Sequence, residues 1–259
     1  MNILRALLSI PVAAVAVSAA CAPDSAVSIY YGNGMHITPA RARVQTLQMD
    51  AKLRAALPAG AKATYSYAYN NSEDDVTQVL QVLGQGLDDR SIQFQSWINV
   101  PSGAPSVFRS AVKSVEQAAT VSSYVKDADL AAHVARYKAD LAAGRRVIVV
   151  AHSQGNFYAN RAYEQLTSKA GFAIVSVATP ASFTAGDGPY TTLTTDQIIT
   201  PITGRRAPNT TNGAIFNNAT SDGDGHSFTR HYLNGDVSGP KITGQVKTVL
   251  ASLVCPATP

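Results

Sequence analysis

The sequence predicts an α/β fold in which a mostly parallel central sheet carries helices on both faces. Five short apolar segments, near 26–31, 63–69, 147–151, 172–178 and 190–195, alternate with segments of helical periodicity. Apolar runs of this length are typical of strands that are buried on both faces, and their alternation with helices favours parallel strand connections. The length of 259 residues and the hydrophobic content of 46% suit one such domain.

The first twenty residues predict a secretory signal peptide. Arg5 supplies a positive start, residues 6–17 are apolar, and Ser18-Ala19-Ala20 offers small residues for cleavage. A membrane anchor is disfavoured because the apolar run is short for a span and contains Pro11. We therefore expect an exported single domain of residues 21–259, located in the periplasm, in the outer envelope or outside the cell.

Cys21 would be the first residue of the mature chain, and the only other cysteine is Cys255. Lipidation of Cys21 would attach the protein to a membrane. A disulfide between Cys21 and Cys255 would instead join the two termini in an oxidising compartment. The two uses of Cys21 exclude each other, and the sequence leaves both open. The wide separation of the cysteines gives no metal-site spacing.

The first core strand, Ala26–Tyr31, leads into a loop of small residues, Gly32–His36. Thr38 as N-cap and Pro39 at the first helical position predict a helix that extends to about Leu57. Ala63–Tyr69 follows as the next strand.

The middle of the chain predicts further helices and one apolar segment for which several roles stay open. A helix is expected to begin after Ser72, where Glu73 and two aspartates fall in its first turn. Two more are expected near 106–120 and 128–143. Apolar residues in 97–108 would line an acyl pocket, form a small lid or complete the core.

The segment around Ser153 carries the strongest chemical signal. Val147–Val150 predicts a buried strand, Phe157 onward predicts a helix with Gly171 as its left-handed C-cap, and Ala151-His152-Ser153-Gln154-Gly155 lies between. This is a form of the G-x-S-x-G nucleophile elbow, in which the serine occupies a strained turn and the small residues on either side permit close backbone approach. At this motif the chain resembles the α/β-hydrolase superfamily of serine esterases and lipases.

The resemblance implies a catalytic triad in the chain order serine, acid, histidine. Ser153 would be the nucleophile, and Asp196, after the strand predicted at 190–195, would be the acid. His226 would be the base, because it stands between a long polar loop and a predicted helix, from which it can reach a site. Neighbouring His152 is set aside as the base, since successive side chains at an elbow diverge.

Two alternatives to these triad residues stay open. Asp224, with Asp222 beside it, is the alternative acid, since both precede His226 closely in the chain. The alternative base is His231, which falls inside the predicted helix and so has less freedom to point into a site.

The same resemblance implies an oxyanion hole built from two backbone N–H groups. One would come from Gln154, directly after the nucleophile, and the other from Met35 in the loop after the first strand. Asn33 stands in this loop where the family usually has a histidine.

A last helix is predicted from Ser238, with Ile242, Val246, Val249 and Leu250 on its core-facing stripe. The formal charge of +4 comes without a basic cluster, which disfavours a nucleic-acid partner.

We therefore expect a serine hydrolase that cleaves small-molecule carboxylic esters or lipids through an acyl-enzyme, with no metal and no organic cofactor. An acyltransferase or thioesterase would use the same triad. Two non-enzymatic functions also stay open: a non-catalytic binding protein of the cell envelope with the α/β-hydrolase fold, and a structural lipoprotein.

Overall fold

A parallel sheet of five strands forms the centre of the computed structural model, which describes residues 21, 26–34, 37–71, 127–200, 202, 205–213 and 225–256. In chain order the strands are β1 (Val27–Gly32), β2 (Ala63–Ala68), β3 (Arg146–His152), β4 (Phe172–Val177) and β5 (Tyr190–Thr191). The strand order across the sheet is β2-β1-β3-β4-β5, and every pairing is parallel. The predicted α/β fold is confirmed.

The helices pack on both faces of this sheet. In chain order they are α1 (Pro39–Arg54), α2 (Asp127–Ala142), α3 (Gly155–Gln165) and α4 (Ser238–Ser252), with a 3₁₀ turn at Ala185–Asp187 and a π-helical segment at Phe228–Leu233. The start of α1 is as predicted, since the Thr38 hydroxyl accepts a hydrogen bond from the Arg41 N–H at 3.2 Å. None of the helices in the described ranges has the length and apolar character that crossing a bilayer requires.

Alternate side chains of each strand enter two separate cores. On β3, Ile148 and Val150 face the core formed with α1, α4 and the π-helical segment, whereas Val147 and Val149 face the core formed with α2 and α3. All four of these side chains are 0–1% exposed. Burial on both faces explains why these strands are continuous apolar runs in the sequence.

The sheet reverses its strand order between β1 and β3. The chain moves outward from β1 to β2, then returns to β3 on the other side of β1 and continues outward to β4 and β5. The connections that follow β1 and β3 therefore leave in opposite directions from the carboxyl ends of these strands. Ligand sites in parallel α/β sheets lie at such a switch point.

Two element predictions were wrong in detail. The strand expected over 190–195 ends at Thr191, because Thr192 and Thr194 exchange backbone hydrogen bonds with Asn209 and Thr210 instead of continuing along β4. Gly171 has the expected positive φ of 78°, but α3 ends at Gln165 and this glycine makes the turn into β4.

A disulfide joins Cys21 to Cys255, with the two Cα atoms 4.9 Å apart. Of the two uses left open for Cys21, the structure has the disulfide. A sulfur atom in this bond cannot also carry a thioether-linked lipid. The predicted signal peptide, the helices expected after Ser72 and near 106–120, and the apolar segment 97–108 lie outside the described residues.

Candidate active site

Ser153 occupies a strained turn between β3 and α3. Its φ is +54°, a left-handed conformation that is uncommon for residues with a side chain, and the Ser153 N–H is held by the Val177 carbonyl at 3.1 Å. Helix α3 begins two residues later, at Gly155. This strand-turn-helix geometry matches the predicted nucleophile elbow, and it presents Ser153 at the carboxyl end of the central strand.

Gly155 allows the elbow to lie against the end of β1. A Cβ atom at this position would stand 2.5 Å from the Gly32 carbonyl oxygen and 2.9 Å from the Asn33 carbonyl oxygen, which no side chain tolerates. Ala151 is paired with Gly32 in the sheet and is fully buried. The requirement for small residues on both sides of the serine therefore has its physical cause in the close approach of both Ala151 on β3 and Gly155 at the start of α3 to the end of β1.

One of the two expected oxyanion donors lies in the described structure. Gln154 is the N-cap of α3, and among the described residues its N–H donates to no acceptor. This N–H lies at the positive end of the α3 dipole, which adds to the positive potential at the Gln154 backbone. Met35, the other expected donor, lies outside the described residues, although Gly34 just before it lies against Ser153: a Cβ at Gly34 would be 3.0 Å from the Ser153 Cβ.

A network of buried amides ties together the loops after β1, β2 and β3. The Asn33 side chain accepts from the Asn70 N–H at 3.0 Å and donates to the Asn70 carbonyl at 3.1 Å. The Asn70 side chain in turn donates to the Gln154 Oε1 at 2.9 Å. Through Asn70, Asn33 thus helps to position Gln154, the expected oxyanion donor. Sequence reasoning missed Asn70, whose only signal is a polar residue at the end of a strand.

Asp196 and His226 lie together, as predicted for the acid and the base. The His226 Nδ1 lies 2.8 Å from the Asp196 Oδ2, and the carboxylate is completely buried. The other carboxylate oxygen accepts from the N–H groups of Ile198 and Ile199, at 3.0 Å each. Because a carboxylate accepts, Nδ1 carries the imidazole proton and the lone pair is on Nε2, which is the form that a general base requires.

The approach of His226 to the acid depends on the glycine before it. Gly225 has a φ of +69°, and a Cβ atom there would be 2.5 Å from the Thr195 carbonyl oxygen. The loop that carries His226 can therefore lie directly on the turn that carries Asp196 only because residue 225 is glycine.

His152 holds the His226 loop against the elbow. Its Nε2 donates to the His226 carbonyl oxygen at 2.9 Å, and the two ring centroids are 4.7 Å apart. Burial places the pKa of His152 well below its usual value, and the charge of His226 lowers this pKa further. His152 therefore stays neutral beside the elbow, as a positioning residue whose role sequence reasoning missed.

Of the two candidate bases, His226 is the one whose ring contacts Asp196. His231 is buried in the π-helical segment, where its Nδ1 accepts from the Ser227 N–H at 3.2 Å. The His231 ring thus contacts the start of the helical segment in which it lies. The alternative acids Asp222 and Asp224 lie outside the described residues.

Two further residues hold the site and were missed at the sequence level. The Asn156 amide donates to the carbonyls of Ser153 at 2.9 Å and Val177 at 3.1 Å, which fixes the elbow to the end of β4. The Tyr232 hydroxyl donates to the Asp196 Oδ2 at 2.6 Å. In the sequence, Tyr232 is indistinguishable from an ordinary core aromatic residue.

Comparison with protein-family models, with curated proteins and with solved structures returns no match. Among the described residues, no three His, Cys, Asp or Glu side chains are grouped so that they could hold a metal ion.

Proposed function

We propose that the protein is a serine hydrolase of carboxylic esters that acts through an acyl-enzyme. The observation that carries this proposal is the 2.8 Å hydrogen bond between Asp196 and His226. His152 holds the His226 loop to the strand-to-helix turn on which the adjacent Ser153 has a φ of +54°. A buried acid, an imidazole that can accept a proton at Nε2 and a strained serine are the three parts that nucleophilic acyl transfer needs.

In the first half of the reaction, the Ser153 Oγ attacks the ester carbonyl carbon while its proton moves to the His226 Nε2. The Gln154 N–H stabilises the oxyanion of the tetrahedral intermediate, and Met35 remains the expected second donor. His226 then donates the proton to the leaving alkoxide, and the serine ester forms.

In the second half, His226 removes a proton from water, and the resulting hydroxide attacks the acyl-enzyme. Collapse of this intermediate releases the carboxylic acid and returns the proton to Ser153. Asp196 keeps the imidazole in the correct tautomer and stabilises its positive charge in both halves. Ser153 and Gln154 are only 2% and 4% exposed, and in such a shielded site hydrogen bonds to an oxyanion are stronger than in water.

We further propose that the protein works after export. The disulfide between Cys21 and Cys255 favours an oxidising compartment, and its position immediately after the predicted signal peptide agrees with cleavage at residue 20. The substrates proposed are small-molecule esters or lipids.

The test is hydrolysis of p-nitrophenyl esters of increasing acyl length by protein lacking residues 1–20, with a Ser153→Ala variant beside it. Loss of a triad serine lowers kcat by roughly 10⁶-fold in a comparable hydrolase, so the variant should fall to background. A fluorophosphonate should label only the wild type, with the added mass on Ser153.

Equal activity of the two proteins would exclude Ser153 as the nucleophile. Absence of both turnover and labelling in the folded wild type would instead favour the envelope binding protein. Faster transfer to an added alcohol or thiol than to water would favour the acyltransferase, and preference for thioesters would favour the thioesterase.

A further inference from the structure

We propose that Tyr232 is a positioning residue that sets the basicity of His226 through the carboxylate they share, an inference that rests on the proposed triad. Both groups donate to one oxygen atom, the Asp196 Oδ2. The Tyr232 hydroxyl is 2.6 Å from this oxygen and the His226 Nδ1 is 2.8 Å from it. These distances are those of hydrogen bonds to an ionised acceptor.

The direction of the Tyr232 hydrogen bond is determined by a second contact. The Leu193 N–H donates to the Tyr232 hydroxyl oxygen at 3.1 Å, so this oxygen acts as the acceptor there. The hydroxyl proton is then directed to Asp196. Since Tyr232 and Asp196 are both 0% exposed, no solvent competes for this bond.

The position of Tyr232 in the chain also favours its contact with Asp196. Tyr232 lies in the π-helical segment that begins two residues after His226, and its ring packs in the core with Phe228 and Leu193. The base and the tyrosine thus come from one short stretch of chain, and both reach the same carboxylate atom from it.

The electrostatic consequence has a defined sign. The hydroxyl dipole withdraws part of the charge on Oδ2, which reduces the attraction of the carboxylate for an imidazolium at His226. Removal of the hydroxyl leaves that attraction undiminished and stabilises protonated His226. Within the described part of the chain, His152 on β3 contacts His226 and the Arg205 guanidinium interacts with Asp196, and such a substitution changes neither group.

The experiment compares Tyr232→Phe with Tyr30→Phe. The Tyr30 hydroxyl also donates to an aspartate, Asp140, at 2.7 Å, but from β1 into the core on the opposite face of the sheet. Each variant loses one tyrosine–aspartate hydrogen bond. Only Tyr232→Phe loses a bond to Asp196, the proposed acid of the triad. The readouts are the pH dependence of kcat/KM for a p-nitrophenyl ester, the NMR titration of the His226 ring, and urea unfolding.

For Tyr232→Phe we expect the midpoint of the His226 titration, and of the acidic limb of the rate profile, to rise by about 0.5 to 1 pH unit. For Tyr30→Phe we expect neither midpoint to move, whatever its loss of stability. An unmoved midpoint in a folded Tyr232→Phe protein, or equal shifts in both variants, would overturn the proposal.

The NMR readout separates this proposal from the proposed function. If the wild type hydrolyses no ester but the His226 titration still shifts in Tyr232→Phe, the coupling through Asp196 stands and only the assigned reaction fails.

Discussion

The neighbouring rings of His152 and His226 have different tasks at the site. His226 must accept a proton in each half of the proposed reaction, first from Ser153 and then from water, whereas His152 keeps a hydrogen bond from its Nε2 to the His226 backbone. Because burial and the charge of His226 both lower the pKa of His152, a second positive charge does not form beside the base during turnover. The two histidines are therefore a base and its neutral support.

His133 on α2 is a second buried neutral histidine. It is 2% exposed, its Nε2 lies 2.8 Å from the Tyr69 carbonyl oxygen, and burial is the main cause of its lowered pKa. Below about pH 6.5 both His133 and His152 gain protons in the unfolded chain before they do so in the folded one. The unfolded state then binds more protons, so the free energy of unfolding decreases as the pH falls.

We expect His133→Gln to remove one of these two contributions, because a glutamine amide can still donate to the Tyr69 carbonyl but does not titrate. Between pH 6.5 and 5.5 the free energy of unfolding of the wild type should fall more steeply than that of the variant, by up to about 1.4 kcal/mol per pH unit. Urea unfolding at pH 7.5, 6.5 and 5.5 measures this difference. Parallel pH dependence in the two proteins would contradict the assignment of His133 as a buried neutral group.

At the level of secondary-structure elements, the site is a junction of loops after three adjacent strands. The elbow follows β3, the Asn33–Gly34 loop follows β1, and Asn70 follows β2. Hydrogen bonds from Asn33 and Asn70 connect all three, and Asn156 adds the end of β4. The position of Gln154, whose N–H is the proposed oxyanion donor, therefore depends on the ends of all three strands.

The closest of these contacts, between Gly155 and the end of β1, makes an element-level prediction. Gly155→Ala should lower the free energy of unfolding by about 3 kcal/mol, since the added Cβ must displace the backbone of Gly32. Esterase activity should fall as well, because the displacement moves Gln154. Gly244→Ala is the matched control: nothing lies within 4 Å of its added Cβ at an exposed position of α4, so it should stabilise the protein by about 0.5 to 1 kcal/mol.

Chemical denaturation of both glycine variants and their rates with a p-nitrophenyl ester provide the measurement. If Gly155→Ala is as stable and as active as Gly244→Ala, then the contact between Gly155 and the end of β1 does not constrain the elbow.

On the scale of the whole molecule, the segment before β1 meets the segment after α4. The disulfide connects residues 234 positions apart, from just before β1 to just after α4. In the chain-entropy account, a crosslink that closes so long a loop stabilises a protein chiefly by restricting its unfolded state. The bond lies at the end of the sheet away from the site, beside the start of β1 and the turn into β4.

We expect the double substitution of Cys21→Ser and Cys255→Ser to lower the free energy of unfolding by about 4 kcal/mol while leaving the esterase rate of the folded fraction unchanged. Urea unfolding with and without reductant tests this: reductant should destabilise the wild type and leave the double variant unaffected. A wild type that loses no stability on complete reduction would contradict the stabilising role of the bond. An intact mass that includes a lipid on Cys21 would contradict the pairing itself.

Local sequence was sufficient to predict the fold class and the position of the elbow. The strands at Val27–Gly32 and Arg146–His152 are buried on both faces, so their apolar runs are visible without a structure, and the spacing Ala151-x-Ser153-x-Gly155 is local. Thr38 and Pro39 likewise predict the start of α1, because capping depends on adjacent residues only.

The contacts among the polar residues of the candidate site could be identified only from the packing of the chain. Asp196 meets His226 across 30 positions, Tyr232 meets Asp196 across 36, and Asn70 meets Gln154 across 84. No periodicity in the chain records such contacts, since each is made by the packing of loops at the carboxyl edge of the sheet.

Two smaller features depended on distant parts of the chain for the same reason. The end of β5 was misplaced because a partner segment at Asn209–Thr210 takes over its hydrogen bonds. The choice of a disulfide for Cys21 required the folded chain, because it depends on whether two ends of the molecule lie within bonding distance. Hydrophobic periodicity and capping are properties of neighbouring residues, whereas these pairings exist only once the sheet has brought remote segments together.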